Sequence, residues 1–172
     1  MNEIFSDKNL SRLINTALIF IVNRMTYKLI IQARTNSSRL PGKMLKPFFN
    51  DKTILEIIID NLKESFSEQD IILATTINPD DDHLVNAARN KGIEIFRGDE
   101  NDVLQRFIKA AETNDAHTIV RICADNPFLQ VDSIQHLLLK FQEESVDYLS
   151  YELYDHTPVI KSHLGLFAEV TT

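Results

Sequence analysis

The run from Tyr27 to Ala33, YKLIIQA, is rich in apolar and β-branched residues and scarcely alternates. That pattern suits a strand buried on both faces of a parallel sheet. Strands are predicted at Lys28 to Ala33, Asp70 to Thr75, Ile93 to Phe96, Thr118 to Ile122 and Asp147 to Ser150, with amphipathic helical stretches between them. Strands alternating with helices imply an α/β fold, a mainly parallel sheet with helices on both faces. The helix starts are written locally. Thr53 with Glu56 makes a capping box, Asn78 is followed by Pro79, and Asn101 and Asp132 can each cap, while Lys91 and Gly92 end the second helix.

A chain of 172 residues is long enough to bury roughly 70% of its unfolded surface in one core. Neither repeats nor Gly/Ser linkers divide it. One domain is therefore expected over residues 25–172. Residues 1–24 are read as an N-terminal extension. Its apolar run Leu13 to Val22 is too short to span a bilayer and no small-residue cleavage site follows. Met25 is the natural beginning of the domain, and a helix packed on the domain or on a partner is the alternative. Cys123 is the lone cysteine, so disulfide scaffolds and cysteine-rich zinc sites are excluded, and a cytoplasmic location is expected.

No carboxylate lies between Lys8 and Asn50, although the formal net charge of the chain is −7. Arg34, Arg39, Lys43 and Lys46 gather in the loop after the first strand. In open α/β sheets the ligand crevice lies beyond the carboxyl ends of the strands. Cations concentrated there call for an anion, most simply a polyphosphate. Ser37, Ser38 and Gly42 allow the backbone to approach it closely, and Pro41 stiffens the turn between Arg39 and Lys43. Gly42-Lys43-Met44 lacks the Ser or Thr and the glycines of a P-loop. A solvated basic loop is the plainer reading.

The full string R-x-x-S-x-R-L-P-G-K, from Arg34 to Lys43, is far more specific than any fragment of it. It resembles the signature of the cytidylyltransferases that activate acidic and other surface sugars. The likeness is to the spore-coat polysaccharide F-type branch, with CMP-Kdo synthetase more distant. LATTINPDDDHLV (Leu73 to Val85), FRGDENDVLQRF (Phe96 to Phe107) and VRICADNPFL (Val120 to Leu129) look like the family's later blocks, in the family's order. The end of the first strand, Gln32-Ala33-Arg34, departs from the glycine-rich ends of purine and uridine transferases.

The resemblance implies a Rossmann-like domain of the GT-A nucleotide-diphospho-sugar transferase type. It implies transfer of CMP from CTP to an acidic sugar or sugar phosphate, with Mg²⁺ as cofactor and cell-surface polysaccharide as destination. Arg34, Arg39 and Lys43 are the expected catalytic cations. Gln32, Ala33, Ser37, Gly42, Ala74, Thr75 and Thr76 are expected around the nucleotide. Asp125, just after a strand, is the expected metal ligand, since magnesium needs only one or two carboxylates beside substrate phosphates. Arg106 and Arg121 are the cations expected to meet the acceptor, although an ion pair explains Arg121 equally well.

Asp80, Asp81 and Asp82 are conspicuous, but acids in a first helical turn complement the helix dipole, and that ordinary role is expected of them. Asp99, Glu100 and Asp102 are read the same way, with Asp102 a site member by family position. Neither a metal-ligand spacing of histidines nor a Ser-His-Asp pattern can be defended. No nucleic-acid or membrane partner is expected. The oligomeric state is left open, with a homodimer among the options, because related chains continue past this point with the acceptor pocket, a second metal ligand and often the dimer contact. The domain is therefore expected to be incomplete at its C-terminal end. Two alternatives stand: a nucleotide binder without turnover, and a glycosyltransferase of related fold, for which Ala124-Asp125-Asn126 offers one acid where Asp-x-Asp is wanted.

Overall fold

The computed structural model describes residues 26–36, 42–125, 127–161 and 167–172. The N-terminal extension, and with it the apolar run Leu13 to Val22, lies outside the described residues. Among those described, eight strands and four α-helices follow one another: β1 (Tyr27–Gln32), β2 (Pro47–Phe49), β3 (Lys52–Thr53), α1 (Ile54–Lys63), β4 (Ile71–Thr76), α2 (Asp82–Asn90), β5 (Glu94–Gly98), α3 (Val103–Thr113), β6 (Thr118–Cys123), α4 (Val131–Glu143), β7 (Tyr148–Ser150) and β8 (Glu169–Thr171).

The main sheet runs in the order β5-β4-β1-β6-β8-β7. β1 pairs in parallel with β4 and with β6, and β4 with β5. The chain thus builds outward from β1 on one side, then returns to place β6 on the other. This reversal of direction beside β1 is the topological switch point at which α/β sheets open a ligand crevice.

β1 explains why its sequence does not alternate. Leu29 and Ile31 face a core shared with Leu55, Ile58, Ile59 and Leu62 of α1, Leu84 of α2 and Leu138 of α4. Ile30 faces the other way, into a cluster with Ile72, Ala74 and the α3 residues Phe107, Ala110 and Ala111. All three β1 residues are fully buried, each burial stabilising by about 1.5–3 kcal/mol. Helices therefore cover both faces, as the apolar run requires.

Thr53 begins α1 as expected: its hydroxyl accepts from the Glu56 amide and the Glu56 carboxylate accepts from the Thr53 amide. Gly92, at φ +75°, ends α2 after Lys91. Asn78 caps, but what it caps is a short 3-10 turn, Pro79–Asp81, leading into α2. Two caps differ from expectation. Asp102, not Asn101, caps α3 by accepting from the Gln105 amide, because the Asp99 carboxylate already holds the Asn101 and Asp102 amides. Gln130 stands at the start of α4 and leaves Asp132 inside the first turn.

Two antiparallel features stand outside the predicted elements. Pro47–Phe49 and Lys52–Thr53 form a hairpin across Asn50 and Asp51, both at positive φ, the requirement of a two-residue type I′ turn. β8 runs antiparallel to both β6 and β7.

Candidate active site

The carboxyl end of β1 is fastened on both sides. The Ala33 amide donates to the Ala74 carbonyl at 3.4 Å, and the Ala124 amide donates to the Gln32 carbonyl at 3.1 Å. The two loops that matter thus leave adjacent strands at the switch point: the basic loop from β1 and the Asp125 loop from β6.

Gly42 re-enters the described chain at φ +67°, its amide donating to the Thr35 carbonyl at 3.2 Å. A Cβ there would meet nothing within 4 Å, so backbone conformation rather than space calls for glycine. A single 3-10 turn, Lys43–Leu45, follows, anchored by the buried side chain of Met44. That turn brings the Lys43 ammonium to 3.7 Å from the Asp125 carboxylate. Both side chains keep access to solvent, Lys43 at 25% and Asp125 at 47%. The candidate phosphate cation and the candidate metal ligand therefore face one another across the crevice.

Arg34 is exposed and donates to the Glu100 carbonyl at 3.3 Å. The Glu100 carboxylate in turn accepts from Asn36 at 3.2 Å and Asn78 at 3.3 Å, tying the loops after β1, β4 and β5 together. Arg39 and Ser37 lie outside the described residues.

Asp81 has a role that its place in an acidic run concealed. It is 1% exposed, with one oxygen accepting from the amide and hydroxyl of Thr35 at 2.8 and 2.6 Å. The other accepts from the hydroxyl of Thr75 at 2.9 Å and from the amide and hydroxyl of Thr76 at 3.1 and 2.5 Å. Burial alone would raise its pKa, but the donors on Thr35, Thr76 and Thr75 outweigh burial and hold the carboxyl below its ordinary value. The signal in the sequence is Thr75-Thr76 at a strand end followed within one turn by an aspartate. Its neighbours behave as expected of first-turn acids: Asp80 is exposed and Asp82 pairs with Arg97 at 2.6 Å.

The hydroxyls of Thr75 and Thr76 are thus engaged by Asp81, and Ala74 is fully buried. Arg121 donates to Glu169 at 2.8 Å, the ion pair that competed with its acceptor role. Burial works against the Arg121 charge, yet the Glu169 bond outweighs it and its pKa stands above the ordinary value. Arg106 is buried at 1% exposure, with its Nη1 on the Asp99 and Glu100 carbonyls. Burial lowers its pKa, Arg34 adds to this, and Asp81, Asp99 and Asp102 oppose it. Cys123 ends β6, half-buried, and burial pushes its thiol up.

Among the described residues no three His, Cys, Asp or Glu side chains form a group able to hold a metal by themselves, and no helix is long and apolar enough to cross a membrane. A single half-exposed carboxylate at a crevice still fits a magnesium ion that takes its remaining ligands from water and phosphate oxygens.

A mostly parallel sheet opening at a switch point, with a cationic loop facing a carboxylate there, is the frame of a nucleotidyltransferase. The chain belongs to the cytidylyltransferase family, whose pattern matches residues 28–157. An uncharacterized protein of Methanocaldococcus jannaschii is 40% identical over 143 residues, covering 83% of this chain and 55% of its own length. The spore coat polysaccharide biosynthesis protein SpsF of Bacillus subtilis is 32% identical over 145 residues, covering 82% of this chain and 57% of its own. A cytidylyltransferase structure from Leptospira borgpetersenii superposes with a TM-score of 0.73 at 29% identity, over 86% of this chain and 60% of that one. The chain spans just over half the length of these two curated relatives.

Proposed function

We propose that the protein transfers CMP from CTP to an acidic sugar or sugar phosphate, releasing pyrophosphate, as a step in making a cell-surface polysaccharide. The observation that carries this reading is the 3.7 Å approach of Lys43 to Asp125 across the switch point. It is supported by membership of the cytidylyltransferase family.

The chemistry is a direct displacement. An oxygen of the acceptor forms a bond to the α-phosphorus of CTP as the bond to pyrophosphate breaks; the electron pair leaves with the pyrophosphate, and a hydroxyl acceptor gives its proton to solvent. Charge on the phosphates is the obstacle, and in this reading Arg34, Arg39 and Lys43 neutralise it. At an effective dielectric near 20, one charge about 4 Å from another is worth roughly 4 kcal/mol. Lys43 then exchanges Asp125 for a phosphate oxygen. Asp125, so released, would hold Mg²⁺, which neutralises phosphate charge when bound. Gly42 offers its backbone to the nucleotide, and Ser37 a hydroxyl. Arg121, with Glu169, faces the acceptor side. The cytoplasm, where CTP is available, is the place for this chemistry.

Replacing Lys43 or Arg39 by Ala is expected to reduce pyrophosphate release at least 100-fold with the fold intact. Full turnover in both folded variants refutes the assignment. Binding of CTP with no pyrophosphate release across a panel of acidic sugars and sugar phosphates would count against transfer and leave nucleotide binding alone.

A further inference from the structure

Among the described residues, three buried side-chain polar atoms find no hydrogen-bond partner: Oε1 of Gln32, and Nε and Nη2 of Arg106. They belong to one side of the sheet. Ile30 packs with Phe107, Ala110 and Ala111 of α3, and strand alternation carries Gln32, two residues on, to the same face at the carboxyl end of β1. Arg106 adjoins Phe107 on α3. Its Cγ lies 3.1 Å from where a Cβ on Gly98 would stand, and Gly98 is the register partner of Thr76 at the end of β4.

The pattern of unmet atoms is specific. Nη1 of Arg106 is engaged by the Asp99 and Glu100 carbonyls at 2.5 and 3.5 Å. Nε and Nη2 remain, and these are the two nitrogens that present parallel N–H groups along one edge of the guanidinium. That edge grips two acceptors side by side. Buried donors and acceptors in folded proteins are nearly always answered, so unanswered ones beneath the carboxyl end of the sheet point to a ligand.

A carboxylate or phosphate would answer the Arg106 edge, but it would set an anion against the Gln32 acceptor. The pairing edge of cytosine answers all three atoms, since it presents an amino donor at N4 and acceptors at N3 and O2. Uracil presents an acceptor at O4 and a donor at N3. Turning the Gln32 amide would serve O4, yet Arg106 has no acceptor to offer N3–H. Arg106 is therefore the stronger discriminator.

We propose that Arg106 and Gln32 read the base, Arg106 donating to N3 and O2 and Gln32 accepting from the N4 amino group. The inference rests on the cytidylyltransferase reading, and it moves Arg106 from the acceptor sugar, where the sequence placed it, to the nucleotide.

The test is calorimetric titration of the full chain with CTP and with UTP. Wild type should bind CTP about 10- to 100-fold more tightly than UTP, the discrimination expected of a good bidentate contact. Arg106→Lys keeps a charge but loses the fork, and should lower CTP affinity by a similar factor while UTP changes little. Gln32→Leu, at a position that tolerates change better, should weaken CTP about tenfold and decides the matter if the buried lysine fails to fold. A folded Arg106→Lys with the wild-type CTP-to-UTP ratio, or a folded Gln32→Leu with the wild-type CTP affinity, overturns the inference. Equal wild-type affinity for CTP and UTP overturns it while leaving nucleotide binding intact, whereas no CTP binding at all overturns the cytidylyltransferase reading itself.

Discussion

Asp81 shows how much can depend on one carboxylate. Five donors from Thr35, Thr75 and Thr76 converge on it, so it joins the end of β1, where the basic loop departs, to the end of β4. Asp81→Asn turns one acceptor oxygen into a donor facing donors, and should destabilise the fold by about 3 kcal/mol in urea denaturation. The pH dependence has a definite sign. Its carboxyl stands below the ordinary value when folded, so its contribution is full above the ordinary carboxylate range and is lost as pH falls through the folded value. The wild-type urea midpoint should therefore fall on acidification below about pH 4, and Asp81→Asn should show a shallower fall. An equally steep profile would remove Asp81 from the account. Cys123 offers a second residue-scale check. Burial raises its pKa and keeps the thiol protonated at neutral pH, so a disulfide reagent should modify it far more slowly than free cysteine.

At the scale of elements, the predicted strands and helices were legible because local chemistry and burial agree. β1 is buried on both faces and reads as an unbroken apolar run; α1 starts at a reciprocal capping box. Thr53→Ala should cost about 1 kcal/mol through loss of that cap, measured as a shift in the urea midpoint. Elements that escaped the sequence reading are those whose identity depends on distant partners. β8 is three residues long and exists because β6 and β7 flank it. The β2–β3 hairpin turns on Asn50-Asp51 rather than the Asn-Gly that would have announced it. Asp51→Gly, at φ 59°, should raise stability by about 0.5–1 kcal/mol if the positive φ strains the aspartate. A loss of stability would mean that the Asp51 side chain supports the turn.

For the molecule as a whole, the site is a consequence of topology: loops from β1 and β6 diverge at the reversal beside β1 and bring Lys43 to Asp125. Their meeting was readable from sequence, since strand ends and charge sufficed to place both. Asp81 was not, because a helix-dipole role explained an aspartate after Pro79 equally well until the chain folded back on β4. Nor was the burial of Arg106, which a one-dimensional pattern shows only as a cation on a helix.

The central claim is tested most directly by a crystal structure of the chain with CTP and Mg²⁺. The account predicts the triphosphate against Lys43, the ion on Asp125 and the Lys43–Asp125 pair opened between them. CTP bound elsewhere, with that pair intact, would contradict it.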